Sequence, residues 1–277
     1  MKKIFAILMA ALLACSLMGC KKDKDAVVED DDNNKVGGDM VYENFTYGIN
    51  GEGTYEITGY TYVGIKEQDV TIPAEIGGRE VTGIAADAFK AKKTVKSVTI
   101  PATITYIGDF AFYDCDAITS IVIPDNVLEI GVGAFWECDA LESVTLPKNL
   151  KKISDYTFKN CSALKGVTLP EGLEAIGEAA FWACTSITEI VVPKGVKDMG
   201  DAAFYGCTAL KKATVLGEAL GKTEVDEEEN EIEHTIGQIV FHSCAADLEV
   251  EVTENTEFAK YAEENKYNVT AFGTIEQ

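Results

Sequence analysis

Histidine is nearly absent from this 277-residue chain, which has only His234 and His242. That scarcity removes most zinc ligand sets and most Ser-His or Cys-His catalytic arrangements. No H-E-x-x-H, G-x-S-x-G or phosphate-binding glycine loop occurs. His242 lies two residues from Cys244, but that cysteine falls in a buried phase of the pattern described below. Basic charge is also short: 24 Lys and Arg stand against 46 Asp and Glu, a formal charge of −22. Such a surface repels phosphate backbones and anionic lipid headgroups, so no nucleic-acid partner is expected. Beyond the apolar run of residues 4–17 there is no second stretch near the length of a spanning helix. The chain therefore reads as a non-enzyme without a cofactor or metal, and as a monomer.

Proline is scarce too, and its placement is informative. The six are Pro73, Pro101, Pro124, Pro147, Pro170 and Pro193, and the last five are 23 residues apart. Cys115, Cys138, Cys161, Cys184 and Cys207 keep the same step. A fixed period of this size marks a solenoid, in which each coil buries its apolar face only by stacking on the next.

Each coil runs from proline to an aliphatic-glycine pair, then Ala-Phe, cysteine, a Leu or Ile, and an alternating strand. One coil supplies Ile107-Gly108, Ala111-Phe112, Cys115, Ile118, Ile121 and Ile123. Segments such as Ser120–Ile123 and Ser143–Leu146 have a period of two and predict strands in a parallel sheet. Proline, lacking an N–H, would end each strand. The glycine would allow a tight turn, and Ala-Phe-x-x-Cys a short helical or 3-10 turn. Phe112, Phe135, Phe158, Phe181 and Phe204 would stack as an internal spine.

The division of the chain follows from this register. Residues 43–72 alternate aromatic and β-branched side chains around Asn50-Gly51 and read as an N-terminal cap. Regular repeats fill 73–216, with five extra residues after Pro73. An acidic insertion occupies 217–233 and reads as a solvated loop without the spacing of a calcium loop. A last coil and C-terminal cap fill 234–277, with a helix capped by Asn255 or Thr256. Residues 20–42, polar and charged, read as a disordered tether.

Residues 1–19 have the shape of an export signal: Lys2 and Lys3, an apolar stretch, then Leu17-Met18-Gly19-Cys20. This resembles the bacterial lipoprotein lipobox, although Met18 departs from the small or aliphatic residue usual there. The resemblance implies a lipid on Cys20 and a membrane anchor; Cys15 or a plain secretory site are the alternatives.

The 23-residue unit L-x-x-V-x-[IL]-P-x-x-[VIL]-x-x-I-G-x-x-A-F-x-x-C resembles the BspA-like class of bacterial leucine-rich repeats over about residues 70–252. Ser154 for glycine and Lys92 for cysteine are departures. The resemblance implies an α/β, β-rich, right-handed leucine-rich-repeat solenoid, capped at both ends. It also implies a surface or secreted protein of adhesion type, contacting protein or carbohydrate at a cell surface. A scaffold role in the producer's own envelope is the alternative, and a hydrolase the remote one. No family catalytic residues carry over.

Candidate contact residues come from positions that vary at fixed phase. The residue after each spine phenylalanine is Tyr113, Trp136, Lys159, Trp182 or Tyr205. Both tryptophans of the chain fall in this set. The five form either a binding stripe or a half-buried cover for the neighbouring turn. Thr99, Val122, Thr145, Thr168, Val191 and Thr214 form a second, outward stripe on the sheet, as β-branched residues do in strands anyway. For the repeat cysteines, buried free thiols, disulfides and a metal site are all compatible with the spacing, and the thiol reading is preferred because parallel side chains stack.

Overall fold

The computed structural model describes residues 35–36, 39–61, 68–218, 220–221, 223–225, 231–253 and 256–272. Cys20 and the expected leader, residues 1–19, lie outside the described residues, as does most of the stretch 20–42 read as a tether. Among the described residues no helix is long and apolar enough to cross a membrane.

The strands before each proline form parallel ladders one repeat out of step. Ser120–Val122 pairs with Ser143–Thr145, Ile121 lying opposite Val144. Glu189–Val192 pairs with Lys212–Val215, then Glu249–Thr253, then Asn268–Phe272. Middle residues such as Ile121 and Val144 are buried while their neighbours face solvent, as the alternation predicts. The coil at residues 166–169 differs: its strand reduces to one bridge, Ser143 to Gly166. Gly166 has no side chain for the pleated surface, and Val167 is only half-buried, so that coil holds the ladder weakly.

A second ladder runs along the aliphatic-glycine edge, and repeat spacing alone did not expose it. Tyr106–Ile107 pairs with Glu129–Ile130, and Lys152–Ile153 with Ala175–Ile176 and Asp198–Met199. Arg79–Ile84 of the first coil extends it, and Tyr55–Tyr60 of the N-terminal cap pairs with that strand in turn. The following glycine serves a purpose other than turning. A Cβ on Gly131 would lie 2.5 Å from the backbone nitrogen of Asp109. Glycine is required because the coils touch there. Ser154 is the exception, and its hydroxyl donates to the Ile130 carbonyl.

The Ala-Phe segment is neither α-helical nor 3-10. Each turn carries two left-handed residues four apart, such as Phe110 (φ 54°) with Asp114 (φ 59°), and Tyr156 (φ 59°) with Asn160 (φ 61°). Non-glycine residues rarely adopt this region. Here it is held by a third set of bonds between coils: the Phe110, Phe112 and Asp114 N–H groups donate to Val132, Ala134 and Trp136 carbonyls at 2.8–2.9 Å.

Phe89, Phe112, Phe135, Phe158, Phe181, Phe204 and Phe241 form the spine, each 0–2% exposed. Successive rings from Phe112 to Phe204 are nearly parallel, 5.1–5.5 Å apart. Tyr60 stacks on the first ring, and Phe258 and Tyr267 close the last edge-on. Edge-to-face closure ends a stack that would otherwise invite another ring.

Two segment boundaries shift. Asp39–Tyr42 pairs antiparallel with Phe45–Ile49, so ordered strand reaches into the stretch 20–42 read as tether. The acidic insertion is a hairpin, Thr223–Val225 against Glu231–Glu233, where a loop was expected. At the other end the helix spans Glu257–Glu264, and Thr256 is its N-cap, accepting the Ala259 N–H at 3.1 Å.

Candidate functional site

The five residues after Phe112, Phe135, Phe158, Phe181 and Phe204 share one edge of the solenoid. Tyr113, Trp136, Lys159, Trp182 and Tyr205 are all half-buried. They are therefore neither core nor freely exposed. Successive positions lie one coil apart, so their side chains touch: Tyr113 meets Trp136 edge-on at 5.5 Å, and Trp182 stacks on Tyr205 at 4.3 Å. His242 continues the stack beyond Tyr205 at 5.6 Å.

Lys159 joins the two halves. Its ammonium lies 4.6 Å from the Trp136 ring centre and 5.2 Å from those of Trp182 and Tyr156. A cation over several ring faces is attracted by their quadrupoles. Among the described residues no carboxylate lies within ion-pair distance of that ammonium.

Phe110 and Tyr156 belong to this edge, and the sequence reading missed them. They sit two residues before the spine phenylalanine, where other coils have Gly133, Ala179 and Ala202. That alternation of large and small was the available signal. A Cβ on Gly133 would lie 2.6 Å from the Phe110 ring, so the small residue makes room for the large one. Phe110 then braces Trp136 at 6.1 Å.

Carboxylates orient the phenols. Tyr113 donates to Glu137 at 2.8 Å, and Tyr156 donates to Glu178. These bonds, with burial second, push both phenols up, Tyr156 to about 12. Glu137 also lines an open groove of about 390 Å³ with Asp139, Asn160, Ser162, Ala183 and Thr185, the residues that follow Trp136, Lys159 and Trp182 in the chain. Burial, then Asp116, Glu137 and Asp114, raises the Asp139 carboxyl above its usual range. Nearby, Lys93 is held by Asp114 at 2.8 Å and Asp116 at 3.0 Å.

The other candidates are placed as follows. Thr99, Val122, Thr145, Thr168 and Val191 are exposed on the sheet face, and Thr214 is half-buried beside Glu251. The repeat cysteines are buried free thiols. Each S–H donates to the phenylalanine carbonyl one coil earlier, as Cys138 does to Phe112 at 3.1 Å. Cys244 does the same to Phe204, while His242 stacks on Tyr205, so the two form no catalytic pair. His234 pairs with Asp198 at 2.9 Å. Among the described residues no group of three or more His, Cys, Asp or Glu side chains converges as a metal site would require.

Comparison with known proteins agrees with this architecture. A model of the BspA type leucine rich repeat region matches residues 82–211 in six copies. A leucine rich cell surface protein from Faecalibacterium prausnitzii is 26% identical, with a TM-score of 0.53 over 87% of this chain and 73% of that one. A leucine rich repeat protein of T. pallidum is 21% identical, with a TM-score of 0.49 over 84% of this chain and 98% of that one. No curated protein matches. Residues 82–211 thus belong to the BspA-type leucine-rich repeats, and the chain that carries them is a leucine-rich-repeat solenoid.

Proposed function

We propose that this is a non-catalytic, lipid-anchored cell-surface protein that presents its solenoid for adhesion-type contact with protein or glycan. Cys20 is the proposed lipid site. The observation that carries the reading is the aromatic edge: rings from consecutive coils stand in line, half-exposed, flanked by an acidic groove. Aromatic side chains offer large contact area at low conformational cost, and they dominate many interfaces. Kinship with a cell surface protein supports the location. The alternative contact face is the sheet, where Val122 and Val191 are 64% and 51% exposed.

The test is a screen of the purified domain against matrix proteins and glycans, beside Trp136→Ala/Trp182→Ala. Loss of the captured ligand in the double variant is expected. Retention at wild-type affinity would move the contact to the sheet face.

A further inference from the structure

The aromatic edge contains a template for the chemistry of its partner. Trp136, Tyr156 and Trp182 surround an ammonium, and the chain's own Lys159 supplies it. Lys159 stands in the register position that five other coils give to a ring and the Phe89 coil gives to Lys90. It fills a gap one coil wide between two tryptophans. Its hold consists of cation–π contact at a half-buried site, which is weak enough for a competitor to replace.

The rest of the edge binds lysine in a second way. Lys93 lies between Asp114 and Asp116 of the next coil. One coil further, Glu137 and Asp139 repeat that carboxylate pair, but the position equivalent to Lys93 is now Asp116. The groove they line runs on past Asn160 and Ser162 to Thr185. An extended chain bearing several ammonium groups matches this arrangement and the −22 charge of the whole. Acidic glycans and acidic proteins do not.

We propose that the slot between Trp136, Tyr156 and Trp182 docks a lysine side chain from a lysine-rich segment of a protein partner, which displaces Lys159 while further lysines lie in the acidic groove. This rests on the aromatic edge being the contact face.

Both tryptophans of the chain flank the slot, so tryptophan fluorescence reports on it alone. The purified domain is titrated with a lysine-rich peptide, and a labelled form of the peptide serves for variants lacking tryptophan. Saturable fluorescence change is expected in the wild type. Trp136→Ala/Trp182→Ala, which leaves the charge unchanged, should weaken binding at least tenfold. Lys159→Met, which keeps the rings, should tighten it at least threefold. Lys165→Met removes the same charge from the sheet side, where it pairs with Glu142, and should leave affinity nearly unchanged.

Equal effects of the two lysine variants would mean general charge attraction and overturn the proposal, even if the tryptophan variant failed to fold. So would peptide affinity unaffected by loss of the rings. A neutral glycan that binds in place of the peptide and needs both tryptophans would overturn the lysine proposal and leave the aromatic contact face standing. Dependence of no ligand on the tryptophans would overturn both.

Discussion

The cysteine at each turn has a bonding role as well as a volume. Its S–H donates to a carbonyl one coil earlier, at 3.0 Å for Cys115 and 3.1 Å for Cys161. Burial pushes every one of these thiols up, Cys115 and Cys244 to about 12. Because the folded value is raised, the thiols' contribution is fully present below the unfolded value of 9.0 and is lost as pH rises toward 12. Above pH 9 each thiol should cost about 1.4 kcal/mol of stability per pH unit. Denaturant unfolding between pH 8 and pH 11 checks this, and Cys161→Ala should show a shallower fall than wild type. An identical slope would place the alkaline loss elsewhere, for instance in Tyr156, which is raised as well.

At the scale of the coil, glycine has two unrelated uses. Gly131 sits where a Cβ would press within 2.5 Å of the Asp109 backbone, so the close-packed coils must shift to admit one, as the coil that carries Ser154 at the equivalent place does. Gly206 has φ 71° with its nearest neighbours 3.8 Å from a built Cβ, so its need is conformational. Ala183 occupies the same place one coil earlier at φ 55°, which shows that a methyl group fits. Gly131→Ala should therefore cost roughly 3 kcal/mol, against about 1 kcal/mol for Gly206→Ala. Chemical denaturation of the two variants separates the causes, and equal losses would refute the distinction.

The coil also shows where sequence reading reached its limit. Ile121, Phe112 and Cys115 recur at fixed phase, so their burial and stacking followed from the period. The Gly131 contact and the left-handed Phe110 did not, because both depend on the gap between coils and on hydrogen bonds made by the neighbour. A period says which residues are equivalent and leaves open what stands opposite each one.

At the scale of the whole molecule the parallel ladders run from the strands of the N-terminal cap to Asn268–Phe272, and the acidic hairpin falls in the chain between the paired strands Lys212–Val215 and Glu249–Thr253. The proposed lipid attachment at Cys20 is tested separately. Acyl labelling of whole cells making wild type or Cys20→Ala should give label in the first and none in the second. Label retained by Cys20→Ala would transfer the modification to another residue, Cys15 first.

The solenoid and its spine were determined by the sequence alone, because a stack of equivalent coils is quasi-one-dimensional and one register says which residues recur in every coil; that the cysteines stand as buried thiols bonded to the preceding coil was shown by the structure. The aromatic edge was legible only as a set of positions. That Lys159 lies inside a ring slot, that Phe110 and Tyr156 complete it, and that Glu137 and Asp139 face a groove were decided by the tertiary structure. Side-chain direction at a left-handed turn depends on the coils above and below, and no periodicity along the chain encodes it.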